Sequence, residues 1–384
     1  MPDVKFVIGA NYGDEGKGLV SAHLAAKAQQ NSKKCLTVLY NGGSQRGHTV
    51  EFGNFHHVYH HFAAGSEFGS DTYFYQDFLV NPMTYVQEHN GIYECYMDAK
   101  CRIVTPFDMI ANQFAEQGRD VRHGSCGMGI FETITRYNNG GGKILTRKIG
   151  DLCNLTNISL YDYITDVQRY YEHRKGIRFD SIPGLDVEGL KRHWVNDFNA
   201  MIDDVSIVYD WSVKSLFNHY DVIIFEGGQG LALDMDNVAD FPHLTPSNTG
   251  CKKMIPFIID TLGEDTPVEL YYVTRSYLTR HGNGPMPEGK LDMSMIEQDM
   301  TNHPNPWQGT LRLTGFTENS INTMMRRIHQ DRCYANSMKY VVCNLVVTHL
   351  NEVAEIEIPN TFLVDTVFYS KSKDCTSLFK ASAF

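Results

Sequence analysis

The chain has 384 residues, 42% of them hydrophobic and 21% charged, with 34 basic against 45 acidic side chains and a net charge of −11. That apolar share builds a sizeable core and excludes disordered and collagen-like classes, while the length suits two to three ordinary domains or one large α/β domain. No apolar run reaches the ~18 residues of a membrane span, no basic-then-apolar leader opens the chain, and the acidic balance argues against gripping a nucleic-acid backbone, though not against a local cradle for a small anion.

Val4-Lys5-Phe6-Val7-Ile8-Gly9 reads as a short buried strand ending in glycine. A glycine-rich loop follows, and the alanine-rich stretch from Leu19 to Lys27 reads as a helix. Cys35 to Tyr40 is the next apolar run, so the opening is a βαβ unit and the start of a parallel sheet. Tyr161–Arg174 and Val187–Leu216 look helical, and Asp221–Phe225, Glu269–Thr274 and Lys339–Val347 are further buried-strand candidates. Each of these strands ends in polar or glycine-rich sequence, where α/β proteins hold ligands. From Ser370 onward the chain is polar with no clear period. No internal repeat and no Pro/Ser linker divides the sequence, which points to one unit over 1–384, with helical and loop insertions at 85–220 and 285–330.

The nine cysteines are scattered without a C-x-x-C pair, which suits buried thiols in a reducing cytosol. The sixteen histidines lack an H-E-x-x-H or Cys/His spacing, so no zinc or other transition-metal site is expected.

Three clusters carry chemistry. Gly9-Ala10-Asn11-Tyr12-Gly13-Asp14-Glu15-Gly16-Lys17-Gly18 lies between a strand and a helix, where glycine amides and the helix start favour phosphate, and Lys17 can reach an outer phosphate. It is not a standard P-loop: six residues separate Gly9 from Gly16 instead of four, and Gly18 replaces the Ser/Thr that holds magnesium. The extra room holds Asp14 and Glu15, carboxylates suited to Mg²⁺ or to proton abstraction, although an acidic pair also caps helices. Asn41-Gly42-Gly43-Ser44-Gln45-Arg46-Gly47-His48-Thr49 follows the next strand, with His48 well placed to meet a phosphate. Phe225-Glu226-Gly227-Gly228-Gln229-Gly230 and Thr245-Pro246-Ser247-Asn248-Thr249-Gly250 form the third.

Together with Thr279-Arg280-His281-Gly282-Asn283-Gly284-Pro285, Gly124-Ser125-Cys126-Gly127-Met128-Gly129-Ile130 and Gly150-Asp151-Leu152, these segments resemble, in order, the motifs of the adenylosuccinate synthetase family. The resemblance runs from residue 5 to residue 355. It implies an α/β fold with a large, mostly parallel central sheet flanked by helices, P-loop-like in its nucleotide binding. It also implies a ligase that joins L-aspartate to C6 of a purine nucleoside monophosphate through a 6-phosphoryl intermediate, in a cytoplasmic homodimer.

By that resemblance Asp14 takes the purine N1 proton, His48 assists the transferring γ-phosphoryl group, and Lys17 holds its oxygens. Mg²⁺ lies between Asp14 and Gly47. Triphosphate contacts fall to Gly13, Glu15, Gly16, Lys17, Gly18, Gly47, His48, Thr49, Arg312, Thr348 and Asn351. Gln45, Ser125, Cys126, Gln229 and Thr245 fall where the monophosphate is held with Asp14, and Gly309, Thr310 and Arg312 where L-aspartate is held.

The departures are informative. The family reads guanine with an aspartate near the end of a Thr-Lys-x-Asp-like segment; here the segment is Thr348-His349-Leu350-Asn351, which favours ATP or dATP. Thr310 replaces an arginine that reaches a ribose 2′-hydroxyl, a contact a deoxynucleotide does not need. Both changes resemble the viral 2-aminoadenylosuccinate synthetase branch, which uses dGMP, and which would put the enzyme in a host cytoplasm. Retained Asp14 is equally a feature of an ordinary IMP- and GTP-using enzyme. Ungapped alignment puts Leu145 where the family has an arginine reaching the partner's phosphate site, with Arg147 or Lys143 as substitutes. A switch GTPase would need Ser/Thr after Lys17 and an Asn-Lys-x-Asp motif, neither present, and intact Asp14, Lys17, His48 and Gln229 argue against an inert nucleotide-binding module.

Overall fold

The computed structural model describes residues 1–91, 93–120, 122–140, 142–297, 302, 305–354, 356–358, 363–376 and 380–383. Its centre is a ten-stranded sheet. In chain order the strands are β1 (Asp3–Gly9), β2 (Cys35–Leu39), β3 (Ser70–Phe74), β4 (Cys95–Asp98), β5 (Ser206–Val208), β6 (Val222–Gly230), β7 (Val268–Arg275), β8 (Val341–Thr348), β9 (Thr366–Tyr369) and β10 (Lys380–Ala383). Their spatial order is β10-β9-β8-β7-β1-β6-β2-β3-β4-β5, and every neighbouring pair is parallel except β9–β10. This is the mostly parallel sheet that the sequence predicts.

A parallel sheet covered on both faces needs strands that are apolar throughout. In β1, Val4, Phe6 and Ile8 pack into one layer and Val7 into the other. The first layer holds the helices Met254–Leu262 and Glu318–Tyr334 through Ile255, Ile258, Met324 and Ile328. The second holds α1 (Lys17–Gln30) through Leu24 and Ala25, and the helices Asn157–Lys175 and Val187–Asp204 through Tyr163 and Trp194. Each such side chain contributes roughly 1.5–3 kcal/mol when fully buried.

The segment 85–220 is more than a helical insertion, because it also supplies β4 and β5 to the sheet edge. The expected helix over Val187–Leu216 is broken for the same reason: Val205 turns extended (φ −101°, ψ 148°), Ser206–Val208 pairs with β4, and a new helix runs Asp210–Phe217. The β-branched Val205, Ile207 and Val208 prefer that edge to a helix. Beyond Ser370, where no period is visible, β10 adds the antiparallel edge.

The clusters singled out in the sequence leave the carboxyl ends of β2, β6 and β1, and β7 and β8 complete a run of five adjacent strands, β2-β6-β1-β7-β8. Their loops therefore converge on one side of the sheet, where open α/β sheets bind ligands.

Candidate active site

The loop after β1 is organised from inside by Glu15. Its side chain is buried, and Oε1 accepts the main-chain N–H groups of Asn11 and Gly13 at 3.2 and 2.7 Å. Oε2 accepts from Lys17 Nζ at 2.7 Å. Gly9 and Gly230 leave the space for this carboxylate, since a Cβ on either would stand 2.5 Å from it. The Glu15 side chain thus shapes the loop, and Glu15 lines the cleft together with Asp14, Gly16 and Lys17.

Asp14 occupies the loop tip with φ +59°, a left-handed backbone uncommon outside glycine. Its Oδ2 accepts from Arg275 Nη2 at 2.7 Å and from Asn302 Nδ2 at 3.1 Å, while Arg275 Nε donates to the Asp14 carbonyl at 2.5 Å. Among the described residues no hydrogen bond reaches Oδ1. Burial opposes the Arg275 charge, but Asp14, Tyr277 and Glu352 outweigh it and hold the guanidinium firmly protonated.

His48 opens the hairpin of strands His48–Phe52 and Phe55–Tyr59, which passes tightly over α1. A Cβ on Gly18 would lie 2.9 Å from the Thr49 carbonyl and 3.0 Å from His48. His48 Nδ1 meets Glu226 Oε1 at 2.8 Å, and Arg46 Nη1 donates to the same oxygen at 2.7 Å. The Ala64 N–H donates to Glu226 Oε2 at 3.2 Å. Burial pushes the imidazole down to about 4, against the pull of Glu226 and with Arg46 and Lys17 adding to the shift. Glu226 is also buried, yet Arg46 and His48 hold its carboxyl down at about 2. The ionised carboxylate therefore keeps hydrogen on Nδ1. Nε2 is buried with no partner among the described residues, and it carries a free lone pair.

Asp14, Lys17 and His48 line one cleft of about 1350 Å³. A single small-molecule pocket spans ~300–1,000 Å³, so this cleft has room for two nucleotides. Gly13, Gly16, Gly18, Gly47 and Thr49 line it with them. So do Gln45, Ser125, Cys126, Gln229, Thr245 and Thr310. Ser125 and Asn112 exchange side-chain hydrogen bonds at 2.8 and 3.0 Å, fixing that wall, and burial pushes the Cys126 thiol up to about 11, keeping it protonated. The Thr245–Gly250 loop is tied down by Asp234, which accepts from the Thr249 N–H at 2.6 Å and from Asn248 Nδ2 at 3.0 Å.

Other expected residues do not line the cleft. Thr348 is fully buried and donates to the Glu15 carbonyl at 2.8 Å, bracing the loop from beneath. Asn351 is exposed and donates to Glu297 Oε1 at 2.9 Å. Arg312 turns back to the Gly284 carbonyl at 2.6 Å, because its strand Arg312–Thr314 pairs with Leu278–Arg280. Gly309 closes a turn with Asn305 at φ +80°. Arg147 does not line this chain's cleft; its carbonyl accepts from Tyr137 at 2.7 Å. Conversely, Arg275, Arg280 and Asn302 line the cleft without having been singled out for a role there. Arg275 is the last residue of β7, so its position was the available signal; Asn302 had none.

A sequence profile described as adenylosuccinate synthetase matches residues 6–310 of this chain. The chain belongs to the adenylosuccinate synthetase family. Relatives in that family include the adenylosuccinate synthetase of Legionella pneumophila, 28% identical over 307 residues, covering 74% of this chain and 65% of that protein. The adenylosuccinate synthetase of Halobacterium salinarum is 28% identical over 311 residues, covering 76% and 66%. The match thus spans just under two thirds of the length of these relatives. Among solved structures, the fully ligated adenylosuccinate synthetase of Plasmodium falciparum superposes with a TM-score of 0.67 at 19% identity, over 91% of this chain and 77% of that one. The succinoaminodeoxyadenylate synthetase of cyanophage S-2L, solved with dGMP and dATP as an energy donor, gives 0.57 at 14% identity, over 100% and 95%. The fold is therefore that of the adenylosuccinate synthetase family.

Proposed function

We propose that this chain is an ATP- or dATP-dependent ligase that joins L-aspartate to C6 of dGMP, forming 2-amino-2′-deoxy-N6-succinyladenylate, a 2-aminoadenine precursor. The observation that carries the reading is one cleft lined by Asp14, Lys17 and His48, in which, among the described residues, Asp14 Oδ1 and His48 Nε2 have no hydrogen-bond partner. Asp14 accepts the N1 proton, which sends electron density to O6. O6 attacks the γ-phosphorus as the bond to the bridging oxygen breaks, releasing the nucleoside diphosphate. The amino group of L-aspartate then forms the C6–N bond as the C6–O bond breaks and phosphate leaves. Lys17 and the Gly13, Gly16 and Gly18 loop hold phosphate oxygens. His48, neutral in the empty cleft, takes up a proton as the triphosphate's negative charge arrives and then donates to the γ-phosphoryl group.

The Asp14 carboxylate and the Gly47 main chain are oxygen donors on the same cleft wall, which suits Mg²⁺. Bound there, Mg²⁺ would neutralise triphosphate charge. The deoxynucleotide reading is supported by Thr310 on the cleft wall and by the dGMP and dATP in the cyanophage neighbour. Asn351, in place of an aspartate, supports adenine over guanine, and it donates to Glu297 on the cleft wall. The IMP-using alternative is supported by Asp14 and by the names of the relatives. A second copy is part of the proposal, since Arg147 stands away from its own cleft. The test compares aspartate-dependent phosphate release with ATP and either dGMP or IMP. Efficient dGMP turnover is expected; turnover of IMP with rejection of dGMP refutes the substrate assignment.

A further inference from the structure

We infer that Arg275 is a positioning residue for this reaction: it grips Asp14 by the main-chain carbonyl and by Oδ2, so that Oδ1 alone is presented to the purine. The inference rests on the reading of Asp14 as the base. Arg275 ends β7, the sheet neighbour of β1, and its side chain crosses to the loop that leaves β1. Two different nitrogens of one planar guanidinium, Nε and Nη2, bond two different groups of one residue at 2.5 and 2.7 Å. That fork fixes backbone and carboxylate together, which a single ammonium does only in part.

The grip is braced from behind. Nη1 donates to the Tyr277 hydroxyl at 2.7 Å, and that hydroxyl donates to Glu352. Arg275 is buried, so it has no second place to go. Asn302 adds another donor to the same Oδ2. The result is an asymmetric carboxylate whose Oδ2 is saturated and whose Oδ1 has no partner among the described residues, leaving its lone pairs for the purine N1 proton and for a cation. A non-glycine residue holds a left-handed φ of +59° only where its surroundings fix it, and the Arg275–carbonyl bond is such a fixture. Freed from it, Asp14 can relax toward an ordinary backbone and carry Oδ1 off line, and a displacement of ~1 Å costs about 10²-fold in rate.

The experiment measures aspartate-dependent phosphate release with ATP and dGMP for the wild type, Arg275→Ala, Arg275→Lys and Tyr277→Phe. Arg275→Ala is expected to lose about 100-fold in kcat, with KM for both nucleotides within about threefold. Arg275→Lys is expected to recover roughly tenfold of that loss, and millimolar guanidinium chloride to restore part of the Arg275→Ala rate, because the cleft admits it. Tyr277→Phe, which removes only the brace, is expected to lower kcat about fivefold and serves as the test if Arg275→Ala fails to fold. An Arg275→Ala kcat within about threefold of wild type, or a loss confined to KM, overturns the assignment. So does an unchanged Tyr277→Phe rate where Arg275→Ala is unfolded. A wild-type chain without aspartate-dependent release from either dGMP or IMP overturns the reaction and this role together; an active wild type with an active Arg275→Ala overturns this role alone.

Discussion

Glu226→Gln separates what the His48 environment does for stability from what it does for catalysis. In the native chain one buried carboxylate serves His48 at 2.8 Å, Arg46 at 2.7 Å and the Ala64 N–H at 3.2 Å. Glutamine keeps the shape and can still accept from Ala64, but it leaves the Arg46 guanidinium, 3% exposed, without a counter-charge. Removing one partner of a buried pair costs about 3–5 kcal/mol. At ~2 °C per kcal/mol for a chain of this size, the melting temperature should fall by roughly 6–10 °C. Catalysis should fall independently, by about 10²–10⁴, because His48 loses the acceptor that fixes its Nδ1 hydrogen and ring orientation. The double variant Glu226→Gln/Arg46→Met divides the two effects. It removes the stranded cation, so it should regain at least half of the lost melting temperature and none of the lost rate. The assays are thermal unfolding and aspartate-dependent phosphate release. A single variant that melts within about 2 °C of wild type would show that the buried pair is not as dry as its burial implies; a double variant that recovers both quantities together would refute the separation.

Further outcomes follow from the same geometry. Asp14→Asn and His48→Asn should each lower kcat by about 10³-fold or more, His48→Asn with the melting temperature within a few degrees and Asp14→Asn with a lowered one because Arg275 loses its charge partner, and full activity in either contradicts its role. The folded-state value of about 4 for His48 lies below the ordinary 6.5, so the unfolded chain binds more protons between them. The stability linked to this group is complete above 6.5 and declines as pH falls toward 4. For the same reason triphosphate binding at pH 6 should take up about one proton, seen as a binding enthalpy that varies with buffer ionisation enthalpy; a buffer-independent enthalpy argues against His48 protonation. Gly18→Ala should push the hairpin off α1 and cost about 1–3 kcal/mol with a disproportionate loss of kcat, and a silent Gly18→Ala would mean that the hairpin yields freely. Chelation with EDTA should abolish turnover and excess Mg²⁺ restore it.

The strands were legible because they obey one rule. A parallel strand covered on both faces must be apolar along most of its length, and Phe6–Ile8, Ile223–Phe225 and Leu345–Val347 are. Edge elements obey weaker rules: Ser206–Val208 is half-exposed and short, and it disappeared into the helical patterns on either side. The carboxyl ends of the strands were legible too, and with them the side of the sheet that carries the cleft.

Which side chain at a strand end enters the cleft was not legible, and Arg275 and Thr348 show why. They are register partners on the adjacent strands β7 and β8, each the last residue of its strand. Thr348 is too short to pass the loop, so its hydroxyl stops at the Glu15 carbonyl beneath it. Arg275 is long enough to go past and take hold of Asp14 from the cleft side. Asp14 and Glu15 part in the same way, although they are neighbours of like charge. The left-handed backbone at Asp14 aims one carboxylate into the cleft, and the amides of Asn11 and Gly13 draw the other inward. A motif supplies the charges at a site, but reach and one dihedral angle decide which of them the substrate meets. Placing a lysine at position 275, with similar reach and only one attachment point, therefore tests geometry at nearly constant charge.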